Sequence, residues 1–198
     1  MAITYYWIIF VALLIAIVFF DLKCFMLRDI TDVRPRPFSY GRVQLAWWTI
    51  IVVSGFTAAI LSTGKIPTLD NSTLILLSIS AGTTAVSRLI DVPGQVPPAV
   101  PTPQPTGKNF FIDILTEDGH VGMHRFQAVV FNVVLGIWFI SQELNNLVAY
   151  PNINVIVGGV KQQAIDCILP IITPNNLILL GLSSATYAAL KTTEGKNG

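Results

Sequence analysis

Apolar residues fall into five long stretches, which polar and charged segments separate. A bilayer core of about 30 Å is spanned by about 20 residues of helix, so stretches of roughly this length predict membrane-spanning helices. The five predicted spans are Thr4–Phe20, Val43–Ser62, Thr73–Ile90, Phe126–Ile140 and Leu177–Leu190. The pattern predicts an all-α integral membrane protein with about five transmembrane helices: an N-terminal anchor helix followed by two helical hairpins.

Two of the five spans rest on more than their length. Thr4–Phe20 has seventeen residues and no charge; no Lys or Arg precedes it and no small-residue cleavage site follows it, so we interpret it as an uncleaved anchor rather than a signal peptide. Leu177–Leu190 has only fourteen residues, which alone would predict a buried core helix. Its similarity to the third span favours a fifth crossing.

The basic residues favour the same arrangement. With the N-terminus outside and five crossings, ten of the twelve Lys and Arg lie on the inner side, and only Lys65 and Lys161 lie outside. Because cytoplasmic loops are enriched in Lys and Arg, this asymmetry predicts a multi-pass protein of the cell (inner) membrane with a cytoplasmic C-terminus. If any of the last four predicted spans did not cross the membrane, the Lys and Arg residues would no longer be so unequally divided between its two sides. Removing the first span would not change this division.

The same hairpin pattern occurs twice in the chain. Arg42-Val-Gln44 opens the second span, and Arg125-Phe-Gln127 opens the fourth, 83 positions later. Asn71–Leu77 in the third span resembles Asn175–Leu180 in the fifth, 103 positions later, so the second copy has 20 extra residues on the outer side. Both copies run in the same direction, which predicts a parallel repeat related by an axis along the membrane normal.

Small and hydroxyl-bearing residues recur in the third and fifth spans. Small residues four positions apart let two membrane helices approach closely. We therefore expect helix packing within a hairpin or between subunits, with a polar pore wall as the alternative, and we expect Leu76 to face lipid. The candidates for either role are Ser80, Gly82, Thr83, Gly181, Ser183, Ala185 and Thr186.

The repeated Arg and Gln residues predict sites at the inner membrane interface. An Arg at the inner mouth of a span can reach lipid phosphates, and a Gln two residues deeper can hydrogen-bond across helices. Simple anchoring of the helix at the interface is the alternative. The candidates are Arg42, Gln44, Arg125 and Gln127.

Six prolines between Val92 and Asn109 predict an extended cytoplasmic linker, which serves as a tether or as a docking peptide for an aromatic-lined groove. Phe110–Leu115 then predicts a short amphipathic segment at the interface.

The predicted units are the anchor helix and juxtamembrane segment (1–36), the first hairpin (37–91), the Pro-rich linker (92–109), the interfacial segment and second hairpin with its external insertion (110–192), and a tail (193–198).

The composition excludes several classes of protein. Hydrophobic residues make up 53% of the 198 residues and charged residues only 12%, whereas soluble domains average about 25% charged residues. A soluble globule or a disordered chain is excluded on this ground. The net charge of +1 argues against nucleic-acid binding. Cys24 and Cys167 lack the spacing of a disulfide scaffold or a zinc site and are interpreted as isolated thiols.

Few residues indicate chemistry, so we expect no enzyme activity, no cofactor and no resident metal. Motifs of nucleotide-binding proteins, hydrolases and zinc proteases do not occur. If His120 and His124 lie on one helix, they share a face and could hold a metal ion together with one carboxylate. An ordinary solvated helix start is the favoured interpretation. Glu143, near the outer end of the fourth span, is either a pore-mouth acid in a ring of subunits or an interfacial residue that faces water. Asn132, deeper in that span, is expected to hydrogen-bond between helices.

At the repeated hairpins the chain resembles an uncharacterised group of bacterial membrane proteins. That group carries an Arg-x-Gln helix start and an Ile-Ser-Ala-Gly-Thr helix, each twice. The matching residues over 37–192 are Arg42–Gln44 with Ile79–Thr83, and Arg125–Gln127 with Leu182–Thr186. Ala185 stands where the pattern has Gly. The resemblance implies a helical membrane fold but no known activity, so it assigns no functional residue.

These observations favour a non-enzymatic, oligomeric integral membrane protein that forms a channel-like or membrane-embedded assembly. The alternative is a membrane anchor or scaffold whose inner face, including Asp21–Tyr40, docks a cytoplasmic protein partner. A small transporter is disfavoured, because no buried ionisable group is expected and matching spans lack helix-breaking Pro or Gly pairs. The expected partners are therefore the lipid bilayer, further copies of the chain and, in the alternative, a cytoplasmic protein.

The five-span arrangement predicts the side of the membrane on which each loop lies. A reporter fused at Pro101 should be cytoplasmic and one inserted near Asn154 should be external, and Cys24 and Cys167 of one subunit should not form a disulfide. Protease protection in oriented vesicles and mild oxidation would measure these outcomes. The opposite side for either reporter, or a disulfide between the two thiols, would contradict five spans.

Overall fold

The computed structural model describes residues 1–29, 35–67, 69–90, 109–117, 120–149, 154–157, 160–163 and 169–181. Its fold is built from helices, with two short antiparallel hairpins between them. The helices are α1 (Ala2–Cys24), α2 (Tyr40–Thr63), α3 (Asn71–Ile90), α4 (Phe110–Leu115), α5 (Met123–Ala149) and α6, whose described part is 174–181. The strands are β1 (Thr116–Glu117), β2 (His120–Val121), β3 (Asn154–Val157) and β4 (Val160–Gln163).

Three of the helices, α1, α2 and α5, are long and apolar enough to cross a membrane. This finding confirms that the chain has the character of a membrane protein and that the first, second and fourth predicted spans are helical. The third predicted span is also helical throughout, as the 20-residue α3. The second half of the fifth predicted span lies outside the described residues, and so do most of the Pro-rich linker and Cys167. The number of crossings therefore remains a prediction.

The ends of α1 and α2 follow from local chemistry. α1 ends at Phe25, which adopts the left-handed conformation with φ of 55°, and its N–H donates to Asp21 O. α2 ends at Gly64, with φ of 70°, a conformation that glycine adopts without steric cost. Before α3, Asp70 Oδ2 accepts a hydrogen bond from Ser72 N at 2.8 Å. Hydrogen bonds from Ser72 lower the pKa of the Asp70 carboxyl below its ordinary value.

The central helix is α2, which packs against α1, α3 and α5. The contacts between α2 and α5 occur in the same order along both helices. Trp48 contacts Asn132, and Gly55, later in α2, contacts Glu143, later in α5. The two helices are therefore parallel, although 83 residues separate their first residues. Between them Trp48 and Phe139 pack edge to face, with ring centroids 5.9 Å apart.

The helix α3 runs antiparallel to α2. Its described buried residues are Ser72, Thr73, Leu76 and Ser80. Thr84 Oγ1 donates to Gly41 O, near the start of α2, at 3.0 Å. Leu76 is 1% exposed and belongs to the main apolar core. The expectation that Leu76 faces lipid is therefore wrong, because the hydrophobic run gives no sign of which face of α3 packs on α2.

The described part of α6 lies beside α3 and runs in the same direction. Ile172, just before α6, donates its N–H to Ser72 Oγ at 3.1 Å, and Gly181 lies within contact distance of Ile79. This is the relative direction expected of the third and fifth segments. Burial at matched positions nevertheless differs: Leu74 is 46% exposed, whereas Leu177, 103 positions later, is buried.

The segment before α5 folds as α4 followed by the β1–β2 hairpin. The predicted interfacial segment Phe110–Leu115 is indeed a helix, with Phe111 and Ile112 exposed and Asp113 buried. In the hairpin Glu117 pairs with His120, while His124 belongs to the first turn of α5. The two histidines therefore do not share a helix face. The 20-residue insertion of the second copy contains the β3–β4 hairpin, in which Asn154 pairs with Gln163.

Close helix approach occurs at two glycines of α2 and α5. A Cβ at Gly136 of α5 would lie 2.5 Å from Trp47 Nε1, and one at Gly55 of α2 would overlap the Glu143 carboxylate. A Cβ at Gly82 would meet no described atom within 4 Å, and Gly181 has only an ordinary contact, 3.5 Å, with Ile79. Among the glycines that the structure describes, those at which two helices approach closely belong to the α2–α5 pair.

The Gly136 contact predicts a difference between two glycine-to-alanine substitutions. Gly136→Ala should lower stability by about 1–3 kcal/mol, since the added methyl group must displace a Trp47 indole that is itself packed between helices. Gly181→Ala, with room for the methyl group, should unfold like the wild type. Thermal unfolding of the purified protein in detergent, followed by tryptophan fluorescence, measures both. Equal midpoints for the two variants would contradict the close approach of α2 and α5.

Candidate functional site

Buried polar side chains gather at two levels of the α2–α5 interface. The first group, the Asn132 cluster, contains Tyr40, Trp47, Trp48 and Asn132 near the start of α2. The second group, the Glu143 cluster, contains Tyr6, Ser54, Gly55 and Glu143 towards the end of α2. Buried polar groups within membrane helices are costly unless they have a structural or functional use, so both clusters are candidate sites.

The Asn132 cluster is a closed network of hydrogen bonds. Trp48 Nε1 donates to Asn132 Oδ1 at 2.7 Å, and Asn132 Nδ2 donates to the Tyr40 hydroxyl at 2.9 Å and to Ala128 O at 2.8 Å. Trp47 Nε1 donates to the Asn132 carbonyl at 3.2 Å. One amide side chain thus satisfies polar groups on two helices. The prediction that Asn132 hydrogen-bonds between helices is confirmed.

The Glu143 cluster lacks such a network. Glu143 is wholly buried, with its carboxylate against Gly55 of α2 and beside the Tyr6 hydroxyl of α1. Among the described residues, no donor meets both the distance and the angle of a regular hydrogen bond to either carboxylate oxygen. Ser54, the residue before Gly55, is also wholly buried, and its hydroxyl has no described partner.

The position of Glu143 corrects two expectations. It does not face water beside Asn145 and Asn146, because the face of α5 that carries Ala128, Asn132 and Gly136 also carries Phe139 and Glu143, and this face packs on α2. The chain therefore does hold a buried ionisable group, contrary to the expectation on which a transporter was disfavoured. Glu143 faces the interior of the described helices. A ring of this acid at a pore mouth would therefore require these helices to rearrange.

Apolar packing separates the two clusters. Asn132 and Glu143 are eleven residues apart on α5, or about 16 Å along the helix axis at 1.5 Å per residue. Trp48 and Phe139 fill the space between them, and both side chains are wholly buried. Within the described part of one subunit, the two polar clusters are therefore not joined by a polar path.

A third group, the loop cluster, ties the α1–α2 connection to α4. Arg28 pairs with Asp21 at 3.4 Å and places its guanidinium 4.4 Å from the centre of the Phe38 ring. Phe38 packs on Phe110 of α4, with centroids 5.0 Å apart, and its N–H donates to Asp113 Oδ2 at 3.5 Å. The buried acids Asp21 and Asp113 thus organise a loop, a role that sequence reasoning missed. The available signal was a single acid among apolar residues: Asp21 directly follows Phe20, and Asp113 lies between Ile112 and Ile114.

The repeated arginines have equivalent roles within the chain. Arg42, the third residue of α2, donates to Arg28 O at 2.6 Å, and Arg125, the third residue of α5, donates to Thr116 O at 2.6 Å. Each guanidinium holds the backbone of the segment that precedes its helix. The repeated glutamines differ, because Gln44 is buried and Gln127 is exposed.

The predicted packing or pore-wall residues are divided between the interior and the surface. Ser80 is wholly buried, and its hydroxyl donates to Leu76 O at 3.1 Å within its own helix. Gly82 lies on the exposed face of α3, and Gly181 lies beside Ile79. The Thr83 side chain, Ser183, Ala185 and Thr186 lie outside the described residues.

The described residues contain no group of three or more His, Cys, Asp or Glu side chains that could hold a metal ion. No known protein family model matches the chain, and no curated protein or solved structure is significantly similar to it. The function must therefore be argued from the residues alone.

The Asn132 cluster predicts a large effect of removing one amide. Asn132→Leu should destabilise the protein by about 1–3 kcal/mol, because it removes the acceptor of the buried Trp48 N–H. Tyr40→Phe removes one hydrogen bond and leaves the others, so it should cost only about 0.6 kcal/mol, the average for membrane helices. Denaturation in detergent measures both. If Tyr40→Phe costs as much as Asn132→Leu, then Asn132 does not organise this cluster.

Proposed function

We propose that this protein is a non-enzymatic, oligomeric component of the cell membrane that forms a channel-like or membrane-embedded assembly. The observation that carries the proposal is the exposed face of α3. Small residues follow one another on this face at helical spacing, and all four are exposed. They are Ser78, Ala81, Gly82 and Ala85.

This face suits contact with another helix. Helices in a bilayer are not driven together by the hydrophobic effect, so small residues that permit close backbone approach are favoured where helices meet. Gly82 leaves open space beside α3, and the Ser78 hydroxyl is satisfied by Leu74 O at 2.8 Å. Between Ser78 and Ala85, no described polar group of this face therefore resists burial against a second copy.

The lipid-facing surfaces of the other helices look different. α1 exposes large apolar side chains along most of its length, and α5 does so on the side away from α2. Examples are Trp7, Ile8, Leu14, Ile15, Val134 and Ile137. Bulky side chains of this kind suit contact with acyl chains, so the small-residue face of α3 supports an interface between subunits. We place any conducting path between copies, since Trp48 and Phe139 fill the described interior of one subunit.

The second candidate function is a scaffold that docks a cytoplasmic partner, and the loop cluster favours it. Two buried acids hold described parts of the α1–α2 connection: Asp21 accepts from Leu27 N, and Asp113 accepts from Phe38 N. Phe111 and Ile112 of α4 stay exposed beside it, at 74% and 51%. An ordered surface with exposed apolar residues is typical of a docking site or of contact with lipid headgroups.

Substitution on α3 tests the assembly. Gly82→Leu should shift the purified protein in detergent from the oligomer to smaller species, because a leucine on a face of close contact forces the helices apart. Size-exclusion chromatography with light scattering measures the mass. Ala12→Leu adds comparable bulk to the exposed face of α1 and should leave the mass unchanged. An unaltered mass for Gly82→Leu would show that this face of α3 meets lipid.

Flux through vesicles separates the two functions. A channel-like assembly should release a trapped ion from liposomes that contain the purified protein, and Gly82→Leu should reduce the release together with the oligomer. A scaffold should show no release above protein-free vesicles while retaining its oligomeric mass. That second result would favour the docking role of the loop cluster.

A further inference from the structure

Glu143 is a buried acid whose role the proposed assembly does not explain. It is 0% exposed, and the ion pair between Arg28 and Asp21 lies at the opposite end of α1. A carboxylate withdrawn from water without a cation costs several kcal/mol, which a stable fold does not tolerate without a reason.

The groups that face Glu143 come from all three helices of the cluster. α1 contributes the Tyr6 hydroxyl, the only titratable neighbour among the described residues. α2 contributes Gly55, whose missing side chain leaves the space that the carboxylate occupies. α5 contributes Leu147, one turn further along, which packs with Tyr6 and Ala58. No described lysine, arginine or histidine is among these neighbours.

We propose that the Glu143 carboxyl is a proton-binding site, occupied by a proton while the helices are packed together. A protonated carboxyl is neutral and has one O–H to donate, for which the Tyr6 oxygen is the adjacent acceptor. Protonation thus removes the uncompensated charge and gives the buried Tyr6 oxygen a partner. The proposal concerns a single subunit and does not depend on how subunits associate.

A metal cation fits this cluster less well than a proton does. Ca²⁺ takes about six to eight oxygen ligands, and Mg²⁺ requires six in near-ideal geometry. The Glu143 cluster offers two carboxylate oxygens and the Tyr6 hydroxyl, with the Ser54 hydroxyl nearby on α2. This small set of oxygens can share a proton but cannot complete the shell of a divalent ion.

The attachment of α1 provides a route for the proton. Tyr6 is fully buried near the start of α1, where Ile9 and Phe10 pack beside it against the bundle. Tyr6 covers Glu143 at this contact. Movement of the first turns of α1 away from α2 and α5 would admit water, which accepts the proton from the carboxyl and leaves a solvated carboxylate.

Infrared spectroscopy of the full chain in lipid vesicles tests the protonation state. At about pH 8, exposed carboxyl groups with pKa values of about 4 are ionised, so a C=O band of a protonated carboxyl reports a buried acid. We expect this band in the wild type, its loss in Glu143→Gln, and its retention in the control Asp113→Asn, which alters another buried acid. No band in the wild type, or a band that survives Glu143→Gln, overturns the proposal. So does a failure of Glu143→Gln to fold, since a neutral amide of the same shape should be accommodated.

Deuterium exchange tests the route. In D₂O the protonated carboxyl band should shift as the proton exchanges, and Tyr6→Ala should speed this shift several-fold by removing the cover. Tyr6→Phe retains the ring and is the matched control, for which we expect exchange closer to the wild-type rate. A wild-type band that never shifts would show a proton that does not exchange, and equal rates in Tyr6→Ala and Tyr6→Phe would exclude the Tyr6 ring as the cover.

Discussion

The parallel pairing of α2 with α5 is the constraint on which the rest of the described fold depends. In a bilayer the apolar side chains of two helices gain little by leaving lipid for each other, so close packing and hydrogen bonds must hold helices together. Gly55 and Gly136 permit the close approach, and Asn132 supplies the hydrogen bonds. α1 and α3 then pack on α2, and α4 reaches it through the loop cluster.

Two polar side chains on the same face of α5 illustrate opposite uses of burial. Asn132 gives up no hydrogen bond on burial, because its amide meets donors and acceptors on two helices, and it therefore specifies how α2 and α5 align. Glu143, eleven residues further along, has no comparable set of partners among the described residues. The presence of this buried acid is explained better by the proton that it binds than by a contribution to stability. The residue that stabilises the α2–α5 interface and the residue proposed to bind a proton thus lie at neighbouring levels of that interface.

The sequence predicted the helices well and their faces poorly. Long uncharged stretches identify helices because every backbone group in a bilayer must be satisfied internally. The same stretches are apolar on all sides, so nothing in them indicated that Leu76 packs inward or that Gly82 faces outward. Asn132 could be recognised as a link between helices because an amide in an apolar span needs a partner. The environment of Glu143 depends on Tyr6 and Gly55, which lie 137 and 88 residues away, and no local pattern joins them.

The hydrogen bonds of the Asn132 cluster impose an order on the making of the protein. Trp48 and Tyr40 lie 84 and 92 residues before their partner in the chain. At about 5–20 residues per second, a ribosome needs roughly 4–18 seconds to deliver Asn132 after these two partners have been synthesised. During that interval the indole N–H of Trp48 lacks its native acceptor, whether it lies inside the membrane, at the interface or within the insertion machinery. The α2–α5 interface can therefore close only after α5 has been synthesised.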